Sequence, residues 1–286
     1  MSATPSRHRL HPLLFEDVVR AALREDLGRA GDLTTEATIP PDLEAEAHVV
    51  AREAGVAAGL DVAAYAFSFY DPRCAVELAV PDGARVGAGD RLATVRGPAA
   101  SILTAERCAL NLLGRMCGIA SLTRQVVDSL DGTNAHVVCT RKTTPGLRAL
   151  EKYSVRIGGG ANHRFGLDDA VLIKDNHIGL CGGVRAALDA VRGRVGHLVK
   201  IEIEVDTPAQ LAEVLAHGGA DVVLLDNFGL DQLAAAVSSV AGRMVTEASG
   251  GITPERARAV AETGVDLLSL GWLTHSPRSL DVGLDL

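Results

Sequence analysis

From about residue 130 onward the chain settles into one rhythm, and that rhythm restricts what it can fold into. Short apolar runs recur at 136–139, 170–173, 199–205, 221–225, 244–247 and 266–270. Segments with helical spacing of apolar residues, at 184–191, 208–217, 230–240 and 254–263, fall between most of them. Strand and helix in alternation build a parallel sheet with right-handed crossovers. The runs are continuously apolar rather than alternating, so both faces of that sheet must be covered. A barrel is the natural closure. Six runs are too few for a complete eightfold barrel, which predicts an α/β architecture with an irregular open barrel of fewer than eight strands.

The first part of the chain reads differently. Leu13, Leu14, Val18, Val19, Ala22, Leu23 and Leu27 recur at helical spacing, with Gly28 and Gly31 as stops. Strand-like stretches at 47–51, 75–80 and 91–95 surround a helical segment at 61–69, and Pro81-Asp82-Gly83 marks a turn. This pattern predicts a small domain of mixed helix and sheet. A long helix should then run from Pro98 to about Leu130, with Gly114 and Gly118 marking a break or a close contact.

Composition supports this division. Of 286 residues 47% are hydrophobic but only 3% aromatic, so the cores must be filled by Ala, Val, Leu and Ile. The cysteines Cys74, Cys108, Cys117, Cys139 and Cys181 have neither zinc nor disulfide spacing. They read as isolated, buried or half-buried thiols of a reducing compartment, which predicts the cytoplasm. Residues 1–12 are polar, without the apolar core of a secretion signal, and no window is apolar for the roughly 20 residues of a membrane span.

The net charge of −8 argues against nucleic acid as a partner. Yet between Arg141 and Lys174 seven Lys/Arg face three acids, a surplus of four that leaves the rest of the chain at −12. A basic island in an acidic protein suits a small anionic ligand. The competing reading is a solvated basic helix face, which the irregular, glycine-rich text here disfavours.

In parallel α/β sheets the chemistry collects where strands end. The six runs lead in turn to Thr140-Arg141-Lys142, Lys174-Asp175-Asn176-His177, Glu202 and Glu204, Asp226-Asn227, Glu247 with Ser249-Gly250-Gly251, and Gly271 with Thr274 and His275. Glycines on two consecutive strand ends let backbone N–H groups approach a phosphate. Glu204 and Asp226, acids on adjacent strands beside such a site, suit Mg²⁺, which needs few protein ligands. A structural ion pair is the plainer alternative for them. Arg141, His163, Arg164 and Lys174 supply donors for a ligand with more than one carboxylate, since an arginine can hold a carboxylate through two parallel hydrogen bonds.

These residues resemble the motifs of the quinolinate phosphoribosyltransferase family. The resemblance rests on Cys139-Thr-Arg-Lys-Thr-Thr-Pro-Gly-Leu-Arg148, Gly158-Gly-Gly-Ala-Asn-His-Arg164, Ile173-Lys-Asp-Asn-His177, Ile203-Glu-Val-Asp206, Leu225-Asp-Asn-Phe228, Ala248-Ser-Gly-Gly-Ile252 and Leu273-Thr-His-Ser276. Glu25-Asp-Leu-Gly, Gly31-Asp-Leu-Thr-Thr35 and Thr104-Ala-Glu-Arg-Cys-Ala-Leu-Asn-Leu112 extend it over nearly the whole chain. It implies an N-terminal α/β sandwich over 1–114, an α/β barrel over 115–276 and a tail, 277–286, that returns to the sandwich. It implies phosphoribosyl transfer to quinolinate with decarboxylation, in NAD biosynthesis, with Mg²⁺. It also implies a homodimer or hexamer in which Arg107 reaches quinolinate across the interface. By the same resemblance Arg141, His163, Arg164 and Lys174 line the quinolinate site and Lys142 meets the leaving pyrophosphate. Glu204 and Asp226 take the ribose hydroxyls and the metal. Ser249, Gly250, Gly251 and Gly271 bind phosphate, with His275 nearby. Trp272 stands where the pattern has a smaller residue.

Three rivals follow from the same residues. A Schiff-base aldolase would use Lys174 or Lys142 as nucleophile. A relative of this fold would use nicotinate, with one carboxylate, or serve metal transport. A binding protein would hold a phosphosugar without turnover.

Overall fold

The computed structural model describes residues 9–286. The first eight residues of the expected small domain, and most of the polar N-terminal stretch, therefore lie outside the described residues. The chain forms two compact units: residues up to Arg124 together with Thr143–Gly159 and Trp272–Leu286, and Gln125–Lys142 together with Gly160–Gly271.

The first unit opens with helix α1 (Glu16–Leu27), which buries Val19 and Leu23 and is ended by Gly28 at φ 53°. A short helix α2 (Leu33–Thr38) is capped by Asp32, whose carboxylate accepts from the Thr35 N–H at 3.0 Å. Strands β1 (Glu44–Ala51) and β2 (Gly55–Val56) lead to α3 (Leu60–Tyr70). The predicted turn at Asp82 does more than reverse the chain. Its carboxylate accepts from the N–H groups of Gly59 and Leu60, at 2.9 and 3.1 Å, and so caps α3. Strands β3 (Ala75–Leu78), β4 (Arg85–Val86) and β5 (Arg91–Pro98) follow, then the 31-residue helix α4 (Ala99–Ser129). Helix α4 is unbroken, and it carries the sequence boundary expected at 114/115.

Continuing along the chain come β6 (His136–Val138), α5 (Arg148–Ile157), β7 (Val171–Ile173), α6 (Asp175–Cys181), α7 (Val184–Arg192), β8 (Ile201–Val205), α8 (Pro208–His217), β9 (Val222–Asp226), α9 (Leu230–Val240), β10 (Val245–Ser249), α10 (Pro254–Ala261), β11 (Leu267–Ser269), α11 (Trp272–His275) and β12 (Val282–Asp285). In the first unit four strands pair antiparallel in the order β12-β1-β5-β3. Its core holds Phe15, Val19, Val49, Leu60, Phe67, Leu92, Ile102, Leu113 and Met116, with Leu150 and Tyr153 from α5 and Leu280 and Val282 from the chain end.

The second unit is built on a six-stranded, all-parallel sheet in the order β6-β11-β10-β9-β8-β7. All six predicted runs are present, with β6 and β7 at the edges. Side chains following both edge strands line one cavity with those of the strands between, so the sheet curls round into an open barrel.

Residues 148–157 depart from the reading of the basic island as irregular. They form α5, because Leu147, Leu150, Ser154 and Ile157 recur at helical spacing and Leu150 and Tyr153 pack into the first unit's core. Arg148, Lys152 and Arg156 ride on that helix, and Lys152 is only 2% exposed. Cys181 departs from the expectation of covered thiols: it is exposed, whereas the other four are buried, and all five are free. No helix among the described residues is long and apolar enough to cross a membrane.

Candidate active site

The ends of the six parallel strands enclose a cavity of about 460 Å³ in the second unit. Its walls bring together Arg141 and Lys142 after β6, His163 and Arg164, Lys174 after β7, Glu204 on β8, Asp226 on β9 and Ser249 on β10. Thr140, Leu172, Leu224, Glu247 and Ser269 complete it. The register explains the convergence. Parallel pairing sets Glu204 beside Leu224, and Ser249 beside Asp226, so same-face residues rise in layers toward one rim.

Two guanidinium groups dominate one wall. Arg141 Nε and Arg164 Nε are buried donors without a partner, though Arg164 Nη1 donates to the Ala170 carbonyl at 3.1 Å. Burial, followed by the neighbouring Arg141 charge, pushes the Arg164 pKa down. Buried donors with no acceptor and cations crowded together call for an anion. In the same cavity Lys174 Nζ bonds Glu204. The Lys174 backbone N–H donates to His177 Nδ1 at 2.9 Å, which fixes the strand-to-helix corner. Burial and then the nearby Asp206 raise the Asp226 pKa, against Lys174 and Lys142. An acid so placed gains from a cation.

The end of the cavity where the sequence leads one to expect a phosphate is shaped by backbone. Gly250 has φ +85°, and a Cβ there would stand 2.2 Å from Asn227 Oδ1. Asn227 itself takes the left-handed conformation at φ 56° and bonds Asp226 at 2.6 Å through its side-chain amide. Gly251, at φ +58°, continues the turn into α10, and Gly271 follows β11. Only residues tolerant of positive φ allow strands β9 and β10 to end so close together.

His163 is used inward. The Arg164 N–H donates to its Nδ1 at 2.7 Å, which leaves the proton on Nε2. That Nε2–H donates to Glu202 at 2.8 Å, with Glu247 3.8 Å away. Glu202 and Glu247 stand among the polar strand ends of the sequence, but the motif pattern gives neither a binding role. Both are buried, and each has one oxygen, Oε1, without a hydrogen-bond partner. The signal was available, because an acid inside an apolar strand run is seldom buried without a task. The ligand atoms of His163, Glu202 and Glu247 lie within 4.8 Å of one another. A ring proton rather than a lone pair points at the acids, so the trio reads as a proton-sharing cluster rather than a metal centre.

The remaining two expected residues belong to the first unit. Arg107 lies on α4, 63% exposed, and lines a groove of about 530 Å³ with Leu110, Leu147, Leu150 and Leu280. His275 ends α11 and pairs with the Ser276 hydroxyl. Trp272 begins the same helix.

An open parallel barrel whose strand ends gather cations, acids and glycine turns is an enzyme of the class that handles small phosphorylated anions. Family models for the C-terminal and N-terminal domains of quinolinate phosphoribosyl transferase match residues 119–285 and 32–117. The chain is 48% identical over 275 residues to the nicotinate-nucleotide pyrophosphorylase (carboxylating) of Mycobacterium leprae, covering 94% of this chain and 96% of that one. It is 45% identical over 262 residues to the probable enzyme of that name from Bacillus subtilis, covering 92% and 90%. A crystal structure of NadC from Streptococcus pyogenes superposes with a TM-score of 0.93 at 39% identity, covering 97% of this chain and 98% of that one. The chain belongs to the quinolinate phosphoribosyltransferase family.

Proposed function

We propose that this protein transfers the phosphoribosyl group of phosphoribosyl pyrophosphate to quinolinate with loss of CO₂, releasing nicotinate mononucleotide and pyrophosphate for NAD biosynthesis. The observation that carries this reading is the pair of buried guanidiniums, Arg141 and Arg164, whose Nε donors have no acceptor in a cavity that also holds Lys174. A flat acid with two adjacent carboxylates offers acceptors to both. Lys174 is less suited to attack a carbonyl, because its ammonium is engaged by Glu204. That weighs against the Schiff-base rival.

The donor would lie along the other side. Lys142 would meet the departing pyrophosphate, and Ser249, Gly250, Gly251 and Gly271 would hold the ribose phosphate, with His275 as a further contact. Glu204 and Asp226 stand at the ends of adjacent strands, and the raised pKa of Asp226 marks an acid short of positive charge. This donor set fits Mg²⁺. When bound, the ion would neutralise charge on the departing pyrophosphate. Glu204 and Asp226 would further stabilise positive charge developing at the ribose carbon. The ring nitrogen attacks with its own lone pair, so no general base is needed, and positioning by Arg141, Arg164 and Lys174 supplies much of the rate.

The protein would work in the cytoplasm as a homodimer or as a hexamer. The exposed Arg107, set in a leucine-lined groove, supports a role at the partner's quinolinate site. The reading is tested with purified protein, Mg²⁺, phosphoribosyl pyrophosphate and either quinolinate or nicotinate. Nicotinate mononucleotide and CO₂ from quinolinate alone are expected. Turnover with nicotinate alone would move the protein to the non-carboxylating reading, and product from neither would sink the assignment.

A further inference from the structure

Glu247 borders the cavity, yet none of the binding roles above uses it. It is 2% exposed and its Oε1 has no hydrogen-bond partner. The groups facing it are Glu202 from β8, His163 from the segment before β7, and the Ser269 hydroxyl from β11. His163 donates its ring proton to Glu202, and of these two buried acids only Glu247 borders the cavity. Two ionised carboxylates buried side by side would be strongly disfavoured. Glu247 therefore carries the proton. Burial, and after it the Glu202 charge, push its pKa to about 7. The other donors on the cavity wall are poorly placed to give a proton away. Arginines do not deprotonate, Lys142 is given to the departing pyrophosphate in the reaction proposed above, the Lys174 ammonium is held by Glu204, and the His163 N–H is held by Glu202.

We infer that the Glu247 carboxylic acid delivers the proton that replaces the departing carboxylate on the pyridine ring. This rests on the reaction proposed above. After ribosyl transfer the ring nitrogen is cationic. The bond from ring C2 to its carboxylate breaks, CO₂ leaves, and the electron pair stays on C2. C2 takes the Glu247 proton, leaving Glu247 ionised beside Glu202. Repulsion between the two carboxylates drives Glu247 to regain a proton from water once product departs, so each turnover consumes one solvent proton. Glu202 and His163 act through Glu247 as positioning residues.

The test separates the two halves of the reaction in a single turnover. Pyrophosphate release reports ribosyl transfer, and nicotinate mononucleotide reports decarboxylation with protonation. In Glu247→Gln, pyrophosphate should appear within about threefold of the wild-type rate while nicotinate mononucleotide slows at least tenfold. Glu247→Asp, which keeps an acid, should recover part of that loss. If both products slow together, or neither slows, the inference fails. The same holds if wild-type protein binds Mn²⁺ at a site that Glu247→Gln abolishes, which would make the trio a metal centre. Should Glu247→Gln not fold, wild-type enzyme in D₂O decides: nicotinate mononucleotide formation must slow at least twofold more than pyrophosphate release, and an equal effect overturns the assignment. Wild-type enzyme that releases no pyrophosphate from quinolinate would instead refute the proposed function itself.

Discussion

At Arg164 a single side chain carries opposing demands. Its guanidinium is buried beside Arg141, and both Nε donors lack acceptors. The arrangement is costly to the empty protein and useful only when an anion is present. Arg164→Ala should therefore raise the KM for quinolinate at least tenfold while changing the KM for the ribosyl donor by less than about threefold, an estimate in line with losing a charge-assisted hydrogen bond. Initial-rate kinetics with each substrate varied would check it, and equal effects on both would remove Arg164 from the carboxylate site. Glu247 carries a second residue-scale expectation. Its pKa stands near 7 in the folded protein, above its ordinary value of 4.5. Between these values the folded state holds a proton that the unfolded chain has lost, so stability falls as pH rises through that window. Urea unfolding at pH 5 and pH 8 should show wild type losing more stability than Glu247→Gln across the interval. A steeper loss in the variant would contradict the buried, protonated acid.

At the scale of elements, glycines separate those that set packing from those that merely occur. Helix α4 passes Gly118 against the returning chain so closely that a Cβ would lie 2.0 Å from the Arg278 carbonyl oxygen. Gly114 is similar, and the Leu280 N–H donates to its carbonyl at 2.9 Å. The sequence left a break or a close contact open at these positions, and the backbone contact decides it. Gly118→Ala should cost about 1–3 kcal/mol, as overpacking does. Gly179, inside α6 with nothing near its Cβ position, should behave oppositely, Gly179→Ala gaining about 0.5–1 kcal/mol from helix propensity. Paired denaturation curves check both signs. Helix α5 teaches a related lesson. The spacing of Leu147, Leu150, Ser154 and Ile157 is legible in the sequence, but the flanking glycines and the seven cations equally suit an irregular ligand-binding segment. The cations divide between α5 in one unit and the cavity wall in the other, because charge counted along a sequence carries no information on which way a side chain points.

For the whole molecule, the chain end matters more than its ten residues suggest. Strand β12 pairs with β1 and covers one edge of the four-stranded sheet, while Leu280 and Val282 enter the core of the first unit. Removing 277–286 should lower stability by at least about 4 kcal/mol through lost core side chains and expose an unpaired edge. Thermal melting and light scattering would show a reduced Tm with aggregation, and an unchanged Tm would mean the segment is dispensable. The parallel sheet, its six strands and the polar character of their ends were set by the sequence, because apolar period and strand–helix alternation are local properties of the chain. Arg141, Lys142, Lys174, Glu204, Asp226 and Ser249 were legible for the same reason: each lies within a recognisable strand, ends one, or follows one within four residues. What only the tertiary structure decided is partnership. It turned His163 inward onto Glu202 and Glu247, tied Lys174 to Glu204 and placed α5 in the first unit. Those outcomes depend on strand register and on burial across the barrel, where residues 39 and 30 positions apart come within bonding distance, and no local pattern encodes which of them will meet.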